Sequence, residues 1–457
     1  MGIQPPHICT GQPDTLYGML RAALLATVWI SVYLAFTLTP LALLLISPVP
    51  PSRGFWIEFS AALGFVGFAM MVVQFALTAR FKPFGAPFGM DTILQFHRQA
   101  GIIAVLLVLA HPVVAIIANP RLVEFYDPRI NAPRAAALSI VTVALVLLIL
   151  LTLRRRSFGI SYERWRLIHG VLGMLVVTIG LGHIMMVGYS LTTLWKQAVW
   201  VLATGAAFYL LLHVRVFKPM VMERRPYRVT NVREERGNCT TLTFAPDGHE
   251  GMRFEPGQFA WLTLGETPYT LQQHPFSFSS SAATPRHLEM TIKNLGDFTS
   301  TIRDVKPGTK AFLEGPYGGF IADSSAPGVV IVAGGVGITP GISILRTARD
   351  KSDTRPFLLI YGTRDIDHTP FREQLEQLAS EINLKVIHVL EQPAEPWSGE
   401  RGFITHDLLK KYLHETSIQT FHFLVCGPEV MMDAVETSLL HMGVAAHRLK
   451  SERFSIV

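Results

Sequence analysis

The chain has 457 residues, is 49% hydrophobic with a mean hydropathy of +0.34, and carries a formal net charge of +6. Three scattered cysteines, Cys9, Cys239 and Cys426, form no CxxC, zinc or iron–sulfur spacing, so any redox chemistry rests on an organic cofactor or haem. Much of the positive excess lies beside long apolar runs, which is a topology signature and argues against nucleic acid as a partner.

The length suggests about three domains, and no internal repeat or low-complexity tract is present. Residues 1–218 are dominated by apolar runs, whereas 219–457 have the composition of an ordinary soluble protein. The chain opens on a short polar tail. It lacks a basic n-region and an A-x-A site, so no cleaved signal peptide is expected, and Pro6 spoils a myristoylation motif at Gly2.

Six stretches then approach the ~20 residues that span a bilayer. They lie at 18–47, 55–79, 94–118, 135–153, 165–188 and 195–217. The loops 2–3 and 4–5 and the segment after span six carry twelve Lys and Arg. The opposite side carries five: Arg53, Arg121, Arg129, Arg134 and Lys196. This asymmetry predicts an integral membrane protein of the cell inner (plasma) membrane, with both termini and the soluble half in the cytoplasm.

Spans three and five each hold two histidines 14 residues apart, His97 and His111 in one, His169 and His183 in the other. That spacing closes to within about 40° of four whole turns, so each pair shares a helix face and is separated by about 21 Å along the axis. Two such helices side by side present imidazoles at two matching heights, the geometry that clamps two stacked haems, each between one histidine of either helix. A lone membrane histidine is as readily a bonded core residue or a proton relay, but two equal, face-matched pairs are hard to explain as packing, because ionisable groups in hydrocarbon are costly. Both helices run from inside to outside, which assigns His97 and His169 to the inner haem and His111 and His183 to the outer. Pro112 removes an intrahelical bond beside His111. Gly101, Gly170, Gly173, Gly180 and Gly182 either let a flat macrocycle approach the backbone or help the helices pack. His213 has no second histidine at the 14-residue spacing and is expected to be structural or interfacial.

From Tyr227 the pattern changes to short alternating strands, YRVTNV, TTLTFAP, QFAWLTL, HLEMTIKNL and AFLEGPY, predicting a small antiparallel barrel. Within it HPFSFSS, residues 274–280, combines aromatic faces with hydroxyls, as a flavin platform requires. Next comes VVIVAGGVGITPGISIL. A buried strand, a glycine-rich turn (Gly334, Gly335, Gly337), a cap at Thr339 and Pro340 at the first helical position form a strand–turn–helix suited to a dinucleotide phosphate. It is not a GxGxxG fingerprint, and a tight turn without ligand is the competing reading. PFLLIYGTR, KVIHVL and FHFLVCGPEVMMDAVETSLL continue the alternation, predicting a doubly wound parallel sheet with ligands at the carboxyl ends of its strands. The fold class is therefore multi-domain. A six-helix transmembrane haem-binding bundle (1–218) precedes an antiparallel β-barrel FAD domain (219–323) and an α/β doubly wound NAD(P) domain (324–457).

These motifs, in this order, resemble the ferric reductase and NADPH oxidase family, with a soluble half similar to the ferredoxin–NADP reductase superfamily. The resemblance covers about residues 55–457. It implies FAD, two haem b and NADPH (or NADH) as cofactors. HPFSFSS matches the flavin motif: His274 toward the ribityl and phosphate side, Pro275 within the motif, Phe276 against the isoalloxazine and Ser277 near its N5. IKNLGDFTSTI matches the segment for the FAD pyrophosphate, with Lys293, Gly296, Thr299 and Ser300. EGPYG closes the flavin domain. GGVGITP matches the nicotinamide dinucleotide pyrophosphate loop, and CGPE supplies Cys426, Gly427 and Pro428 on the nicotinamide side, Cys426 near the hydride path. SERFSIV resembles the terminal motif in which an aromatic, here Phe454, covers the flavin. Arg364 suits an adenosine 2′-phosphate, or is a solvated loop charge.

The implied activity passes electrons from cytoplasmic NAD(P)H through FAD and the two haems to a small-molecule acceptor across the membrane: ferric chelate, or oxygen to give superoxide. An electron-transfer module that donates to quinone or a partner protein is the alternative, and a transporter whose histidines bind no haem is a third reading. The family's NADPH oxidases often have a further histidine where this chain has Ala115. They also tend to have an arginine inside the second helix, whereas Arg53 precedes it here. These departures leave a metal reductase or a general one-electron donor open. No EF-hand loop is present.

Overall fold

A computed structural model describes residues 13–46, 51–80, 90–189 and 191–453. Six helices among them are long and apolar enough to cross a membrane. They are α1 (Pro13–Leu45), α2 (Phe55–Leu77), α3 (Met90–Ala118), α4 (Pro128–Arg154), α5 (Tyr162–Val187) and α6 (Leu194–Leu212). Their ends follow local signals. Ser161 caps α5 through its hydroxyl, and Gly188, left-handed at φ 59°, stops it. The fourth span was expected from 135. Asp127 starts an extra turn, the backbone breaks at Asn131, and Asn131 Oδ1 then caps the main helix by accepting from Arg134 N. Helix α6 passes through a π-turn, His213–Phe217, into a last turn at Lys218–Glu223.

The bundle packs α2 at its centre. A Cβ on Gly67 would sit 2.7 Å from Val108 Cγ2, and one on Gly180 would sit 2.8 Å from Phe68 Cε2. These two glycines are close-approach points between helices, and the buried core around them includes Phe68, Ala104, Leu145, Val177 and Trp200.

The barrel follows, with β1 (Tyr227–Glu235), β2 (Cys239–Pro246), β3 (Phe259–Leu264), β4 (His274–Ser277), β5 (Leu288–Lys293) and β6 (Lys310–Tyr317). Its sheet order is β4-β3-β6-β1-β2-β5, antiparallel throughout. A bridge from Phe278 to Met290 draws the two edges together. HPFS forms a sixth strand beside the five expected.

The last unit contains β7 (Val329–Gly334), α7 (Ile338–Asp350), β8 (Phe357–Thr363), α8 (Arg372–Glu381) and β9 (Leu384–Leu390). It continues with β10 (Glu400–Arg401), α9 (His406–Tyr412), α10 (Glu415–Thr420), β11 (His422–Cys426), α11 (Glu429–His441) and β12 (Leu449–Ser451). The sheet is parallel, in the order β10-β9-β8-β7-β11-β12. The order reverses between β7 and β11, and open α/β sheets take ligands at such a switch point, beyond the carboxyl ends of the strands.

Candidate functional site

The histidines pair across α3 and α5 as the spacing predicted. The ring centres of His97 and His169 are 6.1 Å apart, and those of His111 and His183 are 6.3 Å apart. An imidazole nitrogen lies about 2.0–2.1 Å from a first-row metal. Adding about 1.1 Å from that nitrogen to the ring centre on each side puts two rings on one ion roughly 6.3 Å apart. Both pairs match. Among the described residues no group of three or more His, Cys, Asp or Glu is placed to hold an ion. Two nitrogens per site is the number that a porphyrin-bound iron requires from the protein.

The residues around the pairs fit haem in two further ways. At Gly101, Gly170 and Gly182 a Cβ would meet no heavy atom within 4 Å, whereas Gly180 and Gly173 face Phe68 and Phe75. Three of the five glycines thus face open space and two face aromatic rings. His111 is also oriented from behind. Its Nδ1 lies 2.8 Å from the Ser60 carbonyl oxygen and 3.0 Å from Ser60 Oγ, and that hydroxyl donates to the His111 carbonyl at 2.9 Å. A proton on Nδ1 directed at the carbonyl leaves the Nε2 lone pair available to a metal. Gly64 makes room for the ring, since a Cβ there would come within 3.1 Å of His111 Cγ. Sequence reading missed Ser60 and Gly64. They lie one turn apart on α2, and only their place beside His111 gives them meaning. His213 stacks loosely between Tyr209 and Phe217 in the π-turn, in keeping with a structural role.

The flavin motif lies on β4, paired with β3 so that Ala260 faces Phe276 and Leu262 faces His274. His274 and Ser277 are buried, and Pro275 and Phe276 are half-buried. The His274 ring stacks on Phe298, with centres 4.1 Å apart and planes at 21°. Phe276 lies nearly parallel to the same ring at 6.2 Å. Phe298 belongs to the turn Asp297–Ser300, so the HPFS strand and the IKNLGDFTS segment meet through it. Ser277 Oγ, Ser280 Oγ and His274 Nε2 are buried without a hydrogen-bond partner in the protein. Buried polar atoms are almost always satisfied, so the two serine hydroxyls fit the polar edge of a bound flavin, while His274 Nε2 has the Glu163 carboxylate 3.6 Å away. Burial pulls the His274 pKa below the usual imidazole value, opposed by Glu163, and keeps the ring neutral. The Thr299 hydroxyl accepts from the backbone N–H groups of Leu295 and Gly296, both at 2.8 Å, and so shapes the turn. Ser300 Oγ donates to the Asp297 carbonyl. Lys293 ends β5 beside them.

The two nucleotide motifs adjoin at the switch point. A Cβ on Gly337 would fall 2.4 Å from the Cys426 carbonyl oxygen, and one on Gly334 would fall 2.6 Å from Pro428 Cδ. Gly335 is left-handed at φ 53° and faces open space. Helix α7 starts earlier than the sequence suggested. Gly337 is its N-cap, Thr339 donates to the Val336 carbonyl rather than capping, and Pro340 sits in the first turn. The thiol of Cys426 is buried, and burial and the nearby Glu452 carboxylate push its pKa well above the usual thiol value, so it stays protonated. Gly427 is pressed against Gly334 N. Arg364 follows β8 at the same end of the sheet and is exposed, touching Gln392. Phe454 lies outside the described residues.

Barrel and sheet are joined by a buried contact that no motif announces. Arg346 of α7 donates to Glu289 Oε2 and to the Ser279 carbonyl, both at 2.6 Å, and to Gln374 Oε1 at 2.8 Å. Ser343 Oγ donates to the Ser280 carbonyl at 2.7 Å. The helix that follows the glycine loop is thus bolted to the end of the flavin motif.

Such a molecule is a membrane-embedded oxidoreductase with sites for FAD and a nicotinamide dinucleotide. Family models agree, module by module. Residues 63–180 match the ferric reductase like transmembrane component, 225–320 an FAD-binding domain, and 331–437 the oxidoreductase NAD-binding domain. Together these give the chain the architecture of the ferric reductase and NADPH oxidase family. Curated relatives include flavohemoprotein A of Dictyostelium discoideum, 27% identical over 251 residues, which is 51% of this chain and 60% of the relative. The glycine betaine monooxygenase reductase subunit of Chromohalobacter salexigens is 27% identical over 239 residues, covering 50% and 64%. The chain thus spans less than two thirds of the length of these relatives. Among solved structures, the FAD/NAD-binding domain of nitric oxide dioxygenase from Vibrio cholerae aligns with a TM-score of 0.45 at 23% identity, over 50% of this chain and 98% of that one.

Proposed function

We propose that the protein carries electrons from cytoplasmic NAD(P)H, through FAD and two bis-histidine b-type haems, to an acceptor across the membrane. That acceptor is ferric iron, or oxygen, which would yield superoxide. The observation that carries this reading is the pairing of His97 with His169 and of His111 with His183 at the separation of two imidazoles on one iron. When bound, haem supplies one-electron chemistry and flavin links it to the two-electron hydride of the nicotinamide. The protein's part is placement. His97, His111, His169 and His183 would be the axial ligands. Phe276, Ser277 and His274 would hold the flavin ring and its polar edge, with Pro275 shaping the strand. Lys293, Gly296, Thr299 and Ser300 would hold its pyrophosphate, and Gly334, Gly335, Gly337, Thr339 and Pro340 would shape the dinucleotide loop. Gly427 and Pro428 would bound the nicotinamide pocket, with Cys426 near the hydride path. The exposed Arg364 favours NADPH over NADH.

The orientation reading draws support from the docking of the barrel. It touches the helix ends that carry the positive loops, through Arg80, Arg166 and Lys218. On this reading the FAD and NAD(P) units and both termini lie in the cytoplasm, and the His97/His169 pair is the one nearer the flavin. The test is an anaerobic absorption spectrum of purified protein before and after NADPH. A Soret band that shifts on reduction, at two haems per chain, is expected. Oxygen, ferric chelate and quinone admitted separately then name the acceptor. Flavin absorbance without haem would refute the reading, and reactivity with quinone alone would move it to an electron-transfer module.

A further inference from the structure

The barrel buries a carboxylate whose cationic partners all belong to the membrane half. Glu314 on β6 is 7% exposed. Its Oε2 accepts from Arg80 Nη1 at 2.8 Å, just after α2. Its Oε1 accepts from Lys218 Nζ at 2.8 Å, at the end of α6, and from the Tyr317 hydroxyl at 2.7 Å. The cations are themselves fixed. Lys218 Nζ also donates to the Arg80 carbonyl at 3.0 Å and to Tyr317 Oη at 3.1 Å. The Arg80 guanidinium lies 3.7 Å over the Trp261 ring, and its backbone is held left-handed at φ 52°. Around this centre Phe259, Trp261 and Tyr317 of the barrel pack on Leu94, one turn before His97. Burial raises the Glu314 pKa, but Arg80 and Lys218 outweigh it and hold the group ionised.

We infer that Glu314 is the anchor that seats the flavin barrel on the membrane bundle, and that it is a positioning residue for transfer from flavin to the inner histidine pair. The inference rests on the electron path proposed above. Three features favour an anchor over incidental contact. One acid gathers cations from two different membrane helices, which fixes a direction as well as a distance. The cluster is largely buried, so salt screens it much less than it would a surface pair. Its strand also pairs directly with β3, which pairs with the HPFS strand. A shift at Glu314 therefore reaches the flavin motif through two ladders of backbone hydrogen bonds.

The test uses the full chain in nanodiscs, with Cys9 changed to Ser and spin labels at exposed positions 156 and 306, one on each half. Wild type should give one narrow distance distribution. Glu314→Gln should broaden it toward longer distances. Lys218→Met, which leaves the Arg80 pair intact, should do so less, and it keeps the test usable should the first variant fold poorly. Stopped-flow bleaching of flavin by NADPH should be unchanged, while the following haem reduction slows by about tenfold or more, since small misplacements of reacting groups are costly. A distribution as narrow as wild type in both variants would overturn the anchor. A broadened distribution with an unchanged flavin-to-haem rate would overturn the positioning role. A wild-type protein whose haem never reduces would instead refute the electron path, and the distances would still decide the anchor.

Discussion

Replacing Arg346 with Met should loosen the joint between the flavin and nucleotide units more than any other single change at that interface. Arg346 and Glu289 have side-chain exposures of 8% and 11%, with nitrogen and oxygen 2.6 Å apart. Removing the cation leaves the buried carboxylate only the exposed His287 ring, 3.4 Å from its other oxygen, and losing one member of such a pair costs about 3–5 kcal/mol. The Ser279 carbonyl and Gln374 lose their donors in the same step. For a soluble unit of roughly 240 residues, with about 2–4 °C per kcal/mol, the expected fall in Tm is about 6–20 °C. The assay is thermal release of flavin fluorescence from the purified chain. The double variant Glu289→Gln/Arg346→Met should recover part of the loss, because the stranded charge is gone. The pH dependence has a definite sign. Burial raises the Glu289 pKa, but Arg346 holds it below the usual glutamate value. The contribution is therefore present above that usual value and fades as pH falls through the lower, folded one. An Arg346→Met Tm within about 2 °C of wild type, or a double variant no better than the single, would refute this reasoning.

Three further changes probe the proposed sites. His183→Ala should halve the haem content, leaving one low-spin centre, while NAD(P)H-to-flavin transfer survives; two haems per chain in the variant would sink the ligand assignment. Phe276→Ala should weaken FAD retention by about tenfold, on the order of 1.4 kcal/mol, read by flavin released on dilution; unchanged retention would count against the stacking role. Gly337→Ala drives a methyl to 2.4 Å from the Cys426 carbonyl. It should cost about 1–3 kcal/mol of stability and abolish nucleotide binding by calorimetry, and full binding would show that the two loops move independently.

What was legible in the chain was whatever repeats at a short period or depends on neighbours in sequence. The 14-residue histidine spacing fixes a helix face by arithmetic, and the pairs met as expected. Apolar length set six spans, but α5 starts at Tyr162 rather than at the expected 165, because Ser161 caps a first turn that is polar. The glycine loop was visible, but its first helical residue was not, because Thr339 and Pro340 suit the first turn in more than one register. Ser60, Gly64 and Phe298 left no signal, since a serine, a glycine and a phenylalanine are ordinary until a histidine lies against them. The ion pairs at Glu314 and Arg346 join residues 234 and 57 positions apart. No local pattern encodes a partner that far along the chain.

Glu314 also bears on how the protein is divided for study. A soluble fragment that starts after Lys218 keeps every flavin and nucleotide motif but leaves behind both cations of its buried acid. Phe259, Trp261 and Tyr317, which pack on Leu94 in the intact chain, would face water around that acid. Such a patch invites self-association, and Glu314 would titrate without its two neighbours. The reductase half is therefore completed by the membrane half, and a fragment that behaves poorly would be reporting a missing surface rather than a failure to fold.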